Sequence, residues 1–208
     1  MKKNKQDQNN EKKIILEISK KIVRNDGWSK NLITKLIESG VKKSDLVLYF
    51  KNNYIEILKF SLDELNLILE NNVKKINIIN FPTSKRIKKI LLERLSIINK
   101  DKIFYKKTFN HLILPQNLKI MKKNLYKSVD KMWYIAGDNS TDFSFYSKRI
   151  ILGAIYSNAL IVLFNKNIKD VESNIDNNLN KIAKIPKLKD RFSFLKDNLP
   201  IFFRSFFS

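Results

Sequence analysis

Apolar residues recur every three to four positions along almost the whole chain, and Gly and Pro number only four each in 208 residues. So few breakers leave long uninterrupted stretches, and a period of 3.6 is that of amphipathic helices. An all-α fold follows. The only strand-like alternation, KINIIN at 75–80, is too short to compete with so much helical pattern. The length allows one domain with a core of its own, or a small module joined to a larger one.

Gly, Ser and Pro then punctuate the pattern. Ile14, Ile15, Ile18 and Ile22 mark one helical face, which Gly27 ends as a residue tolerant of left-handed backbone. Ser29 is the expected cap of a second helix through Leu32, Ile33, Leu36 and Ile37, stopped by Gly40; Ser44 is the expected cap of a third ending near Tyr49-Phe50. These three helices form a helix-turn-helix pattern over 11–51, behind a polar arm at 1–10 expected to be disordered. Ile55, Leu58, Leu62, Leu65 and Leu69 carry the next face, with a break expected from Asn71-Asn72 to Ser84, itself a cap. Ile87, Ile90, Leu91 and Leu95 define another helix, and Phe104, Thr108 and Leu112 one more, ended by Pro115. Leu118, Met121, Leu125, Val129 and Met132 line the following one. The spacing thus separates the module at 11–51 from a helical body at 52–186 and a tail at 187–208.

MWYIAGDNSTDFSFY, Met132 to Tyr146, stands apart from its surroundings. Gly137 is placed to end the helix that carries Trp133, and Asp138, Asn139, Ser140 and Thr141 are all N-cap residue types. Asp142 falls in the next first turn, where a carboxylate complements the helix dipole. Arg149 is expected to pair with Asp142 or Asp138. The helix from Asp142 to Phe164 is apolar on almost every face beyond Arg149, which suits the centre of a bundle and a dimer interface. Its uncharged run, Ile150 to Phe164, is shorter than the roughly 20 residues that span a bilayer. Trp133, Tyr134, Phe143, Phe145 and Tyr146 exceed what one core corner requires, so some should point outward.

The formal net charge is +21, which invites an anionic partner, nucleic acid or phospholipid headgroups. Six of the 41 basic residues are Arg. That Lys excess, beside abundant Asn and Ile, is also the skew an AT-rich genome imposes on any solvated surface. The absence of Cys excludes disulfides and thiolate metal sites. MKKNKQDQNN is polar, so no secretory signal is expected.

In the tail, Leu188, Phe192, Leu195 and Leu199 share one helical face before Pro200, followed by Ile201, Phe202, Phe203, Phe206 and Phe207. Exposing these rings in water is costly, since burying one Phe is worth roughly 1.5–3 kcal/mol. With Lys184, Lys187, Lys189, Arg191, Lys196 and Arg204 nearby, an interfacial amphipathic segment is expected. Phe192, Leu195, Leu199, Phe202, Phe203 and Phe206 are its candidate membrane-binding residues. Packing of the tail on its own bundle or on a second subunit is the competing account.

Two resemblances sharpen these readings. ESGVKKSDLVLYFKNNYIEIL resembles the signature of TetR-type regulators over about 45 residues, Glu17 to Phe60. The chain has Leu46-Val47 and Asn53 where those regulators usually place Leu-Tyr and a Lys that serve DNA contact. The second resemblance covers nearly the whole chain. HLILPQNL and MWYIAGDNSTDFSFYSKRIILGAIYSNALIVLF resemble the coenzyme Q biosynthesis accessory lipid-binding family, ninth of the yeast coenzyme-Q series. Its hallmark, Met-Trp-x-x-Ala-Gly-Asp-x-Ser-Thr-Asp-Phe, is complete from Met132 to Phe143, and an aromatic pair and two basic residues follow at Phe145-Tyr146 and Lys148-Arg149.

That second resemblance implies a TetR-like homodimer with a lipid cavity among its C-terminal helices and an amphipathic C-terminal helix on the membrane. It implies a partner, the di-iron hydroxylase acting on demethoxyubiquinone, docked on Met132, Asp142, Phe145 and Tyr146. Where the family often has Trp, this chain has Phe145, which keeps an apolar anchor and loses the indole donor. Core packing alone would also account for Met132 and Phe145. Leu125, Val129, Leu152, Ile155 and Tyr156 are the cavity candidates, for an isoprenoid quinone precursor or a phospholipid.

No catalytic residue, metal site or cofactor is expected. The lone His111 has no second His or carboxylate at helical spacing, and no Glu-x-x-His, phosphate loop or nucleophile elbow occurs. The expected function is a non-enzymatic, lipid-binding accessory role, cytoplasmic on the inner membrane in a bacterium or on the matrix side of the mitochondrial inner membrane in a eukaryote. A ligand-responsive transcriptional regulator is the alternative, with DNA the less expected partner; a membrane scaffold is a third.

Overall fold

The structure, a computed structural model, describes the backbone of residues 5–183 and the side chains of 6–141 and 144–179. Among the described residues there are nine α-helices and no strand. They are α1 (Lys5–Asp26), α2 (Asn31–Glu38), α3 (Lys43–Phe50), α4 (Tyr54–Lys74), α5 (Thr83–Lys100), α6 (Lys102–Leu112), α7 (Leu118–Ile135), α8 (Asp142–Asn165) and α9 (Ile168–Ala183), with a 3-10 turn at Pro115–Asn117 before α7. The all-α expectation holds. Helix α1 begins at Lys5, inside the stretch 1–10 read as a disordered arm.

The helices form two compact units. Of the described residues, one comprises 5–65 together with Asp101–Leu114; the other comprises Asn66–Lys100 and 115–183. The N-terminal unit is therefore larger than the module at 11–51. Helix α6 joins it, packing on α1, through contacts invisible to local periodicity. The buried Trp28 indole donates to Thr108 Oγ1 at 2.9 Å, and Thr108 donates on to the Phe104 carbonyl at 2.8 Å. Arg24 grips Asp101 with two bonds of 2.8 and 2.7 Å, a bidentate pair that fixes register as well as distance.

Several local expectations shift. Helix α1 buries Ile15, Leu16, Ser19 and Val23 and leaves Ile14 exposed. The small Ser19 sits at the contact because its hydroxyl bonds back to the Ile15 carbonyl at 2.8 Å. None of the three serines read as caps is one. Lys30 and Lys42 occupy the N-cap positions of α2 and α3, and Ser84 lies inside α5. At α3 the extended backbone of Lys42 already presents the first acceptor, to the Asp45 and Leu46 amides, so no side chain is needed. Helix α4 runs through Asn71-Asn72 to Lys74, where Val73 is buried and the Asn72 amide donates to Glu93 at 2.8 Å. Packing outweighs weak helix propensity there.

In the second unit α8 packs on α7 and α9, and α5 packs on all three. Ser144–Asn165 is long and apolar enough to cross a membrane by length and composition, because the helix extends back beyond the uncharged run. Half of that window is buried inside the protein, as in the central helix of a bundle.

Candidate functional site

The α7–α8 junction follows from its backbone. Helix α7 ends at Ile135, and Gly137 adopts φ +78° just beyond it. The Gly137 amide donates to the Tyr134 carbonyl and the Asp138 amide to the Trp133 carbonyl, both at 3.0 Å. This is a Schellman motif, and it needs a residue without a Cβ at the left-handed position. Arg86 closes the same end from α5. Its guanidinium donates to the carbonyls of Phe81 (2.6 Å), Ala136 (3.2 Å) and Ile79 (2.5 Å). Thr141, in extended backbone, is the N-cap of α8.

Four charged groups meet behind this turn. The Asp138 side chain is 3 % exposed and pairs with Lys148 at 2.7 Å and Arg149 at 3.4 Å. Ser140 donates its hydroxyl to Asp138 at 2.6 Å. Burial by itself would raise the Asp138 pKa; the bonds from Lys148 and Ser140 outweigh it and hold the carboxyl below its ordinary value. Arg149, also buried, bonds Asp130 at 2.7 Å, the Phe145 carbonyl at 3.0 Å, and stacks 3.3 Å from the Phe145 ring centre. The expected pairing of Arg149 with Asp138 is present, and Asp130 is a second partner that local sequence did not suggest. Burial and the charge of Asp130 push the Tyr126 phenol upward, with Arg149 opposing.

The aromatics divide. Trp133 is buried, with its indole donating to the Lys148 carbonyl at 3.1 Å. Tyr134 points outward, 69 % exposed, with Lys131 over its ring at 5.1 Å. Phe145 and Tyr146 are half-buried and packed edge to face, their ring centres 5.2 Å apart. Met132 is fully buried, so it is not among the exposed residues of the junction. Asp142 opens α8, and its side chain lies outside the described residues.

Of the cavity candidates, Val129, Leu152, Ile155 and Tyr156 are buried and Leu125 is partly so. Helices α7 and α8 meet here at ordinary contact distance: a Cβ on Gly153 would lie 4.0 Å from Val129 Cγ1. Tyr156 brings in a residue that sequence reasoning missed. Arg94 of α5 is completely buried and donates to the Tyr156 hydroxyl, the Asn66 amide oxygen and the Ser128 hydroxyl, each at 2.8 Å. The signal was available: Arg94 follows Ile90 by four positions and Leu91 by three, on the apolar face of α5. Phe192, Leu195, Leu199, Phe202, Phe203 and Phe206 lie outside the described residues.

The family model described as COQ9 matches residues 119–188, taking in α7, the junction, α8 and α9. The chain also matches curated proteins over longer stretches. One is "Ubiquinone biosynthesis protein COQ9, mitochondrial" of Rattus norvegicus, 27% identical over 176 residues, covering 80% of this chain and 56% of that protein. Over α7 to α9 the chain is thus similar to the COQ9 family. A second COQ9 relative, "Probable ubiquinone biosynthesis protein coq9, mitochondrial" of Dictyostelium discoideum, is 27% identical over 191 residues, 85% of this chain and 61% of the relative. The human "Ubiquinone biosynthesis protein COQ9, mitochondrial" is 27% identical over 165 residues, 76% of this chain and 52% of the relative. The chain thus spans between half and about three-fifths of the length of these relatives.

Proposed function

We propose that the chain is a non-enzymatic accessory protein of ubiquinone biosynthesis that binds an isoprenoid quinone precursor at a membrane and presents it to a di-iron hydroxylase. The observation that carries the reading is the COQ9 match over 119–188, because it falls on the most individual part of both sequence and structure. The relatives are named for ubiquinone biosynthesis and for mitochondria, which supports that pathway and a mitochondrial setting.

Mechanistically the reading rests on desolvation. A polyprenyl tail leaves the bilayer only for another apolar environment, since each buried CH₂ is worth about 0.8 kcal/mol. Val129, Leu152 and Ile155 are buried apolar residues and are the proposed lining of that environment. The hydroxylase is proposed to dock on Phe145, Tyr146 and the exposed Tyr134, around the charged turn at Asp138. Arg149 positions Phe145 by holding both its carbonyl and its ring. Ile150, Ala154, Asn158 and Ile161 form one exposed stripe along α8, and this stripe is the proposed homodimer face. On α3, where a DNA reader would need polar side chains, Val47 and Leu48 are exposed; this favours the accessory role over a transcriptional regulator.

The test is mass spectrometry of organic extracts from the purified protein, beside a folded Ile155→Lys control. An isoprenoid or phospholipid in the native sample alone is the expected result. Absence of lipid from both samples would remove the carrier reading. For the docking patch, Phe145→Ala should weaken hydroxylase binding at least about tenfold, as loss of an interface anchor does, in a variant that circular dichroism shows to be folded.

A further inference from the structure

Arg94 is an anomaly in the second unit. It is 0 % exposed, yet among the described residues its hydrogen-bond partners are the neutral groups of Tyr156, Asn66 and Ser128, with the Tyr156 ring 5.2 Å away. Other cations of this unit have carboxylates: Lys88 has Asp176, Lys131 has Glu70, Lys148 has Asp138 and Arg149 has Asp130. A guanidinium does not deprotonate to escape burial, and a buried charge without a counter-ion is expensive.

The cluster also holds more donors than acceptors. A guanidinium carries five N–H groups and accepts nothing; its three bonds leave two unused. Because it only donates, Asn66 must turn its oxygen toward Arg94, and the amide nitrogen then faces away. That nitrogen is buried without a partner, on a residue 7 % exposed. Tyr156 and Ser128 likewise accept from Arg94, which leaves their hydroxyl hydrogens to donate elsewhere. One uncompensated positive charge and several idle donors define their complement: an oxygen that is anionic.

We propose that Arg94 and Asn66, with Tyr156 and Ser128, receive the anionic oxygen head group, carboxylate or phosphate, of an amphiphile whose apolar chain enters the α7–α8 core. The inference rests on the lipid-binding reading above and adds the charge and the end of the lipid that is recognised. Arg94 thereby selects among amphiphiles that the apolar core alone would accept equally.

The test uses the full chain, stripped of lipid, and two fluorescent probes, cis-parinaric acid and its uncharged methyl ester. The wild type is expected to bind the acid at least about tenfold more tightly than the ester, the scale of one charge-assisted hydrogen bond. Arg94→Met, which nearly conserves volume, should keep ester binding and lose the preference. Asn66→Asp places a carboxylate where an amide now sits 2.8 Å from the guanidinium. By supplying an internal counter-ion it should raise the melting temperature and abolish the preference, and it carries the test alone if Arg94→Met does not fold. Retention of the preference by either folded variant overturns the assignment. Equal binding of acid and ester by the wild type overturns it too, while leaving the lipid reading intact. Failure of the wild type to bind either probe, or dodecyl phosphate, removes both. Displacement of the acid by inorganic phosphate as readily as by dodecyl phosphate would mean a free-anion site and overturns the amphiphile.

Discussion

Asp138→Asn isolates the charge that organises the α7–α8 junction. The substitution keeps the shape and removes the charge from a side chain that is 3 % exposed between two cations. Removing one partner of a buried pair costs about 3–5 kcal/mol when the other is stranded. Neither cation is fully stranded here. Arg149 keeps Asp130 at 2.7 Å, and Lys148, 37 % exposed, reaches water, so its pair is worth at most about 1 kcal/mol. The turn also loses an acceptor, because the new amide nitrogen must face Ser140 or a cation. About 2 kcal/mol of destabilisation at pH 7 is the expected sum. Urea unfolding at unchanged m-value is the assay, read as a shift in midpoint. The sign with pH is fixed by linkage. Asp138's folded pKa lies below its ordinary value, so its contribution is present above the unfolded pKa of about 3.9 and is lost as pH falls through the folded one. The wild-type and variant curves should therefore converge in acid. A loss under about 0.5 kcal/mol at pH 7, below what even one net hydrogen bond contributes, or a gap that persists in acid, would refute the account.

Gly137→Ala should cost about 1–2 kcal/mol, the penalty of a left-handed L-residue. Its Cβ would meet only the flexible end of Arg86, at 3.4 Å, and thermal melting checks the value, with Gly137→Asn expected to lose less. His111 is held below its usual pKa by burial. Its neutral form is therefore favoured in the fold, and stability present above the unfolded pKa of about 6.5 is lost as pH falls toward the folded one. Unfolding free energies at pH 7.5 and 5.5 should show this slope, and His111→Gln should flatten it.

Much of the fold was legible because helix signals are local. The apolar faces of α5, α6 and α7 could be read from spacing, and Gly27, Gly40 and Gly137 all adopt the positive φ that their positions called for. The serine caps failed for a related reason. A cap depends on backbone conformation one residue before the helix, and at Lys42 the backbone alone suffices. At the candidate site, the junction was visible as a motif. The burial of Met132 was not, since a residue among aromatics reads the same whether it faces solvent or the core.

What the sequence by itself determined is the helices up to α8 and the turn at Gly137, each encoded in contiguous residues; α9 was not read from it. Only the tertiary structure decided that α6 returns to the N-terminal unit through Trp28 and Thr108, that Arg149 reaches Asp130, and that Arg94 sits without a carboxylate beside Asn66, Ser128 and Tyr156. The physical reason is that periodicity reports which face of a helix turns inward, not what it meets there. A guanidinium's partners arrive from segments 28 to 62 positions away, and no local pattern encodes such a distance.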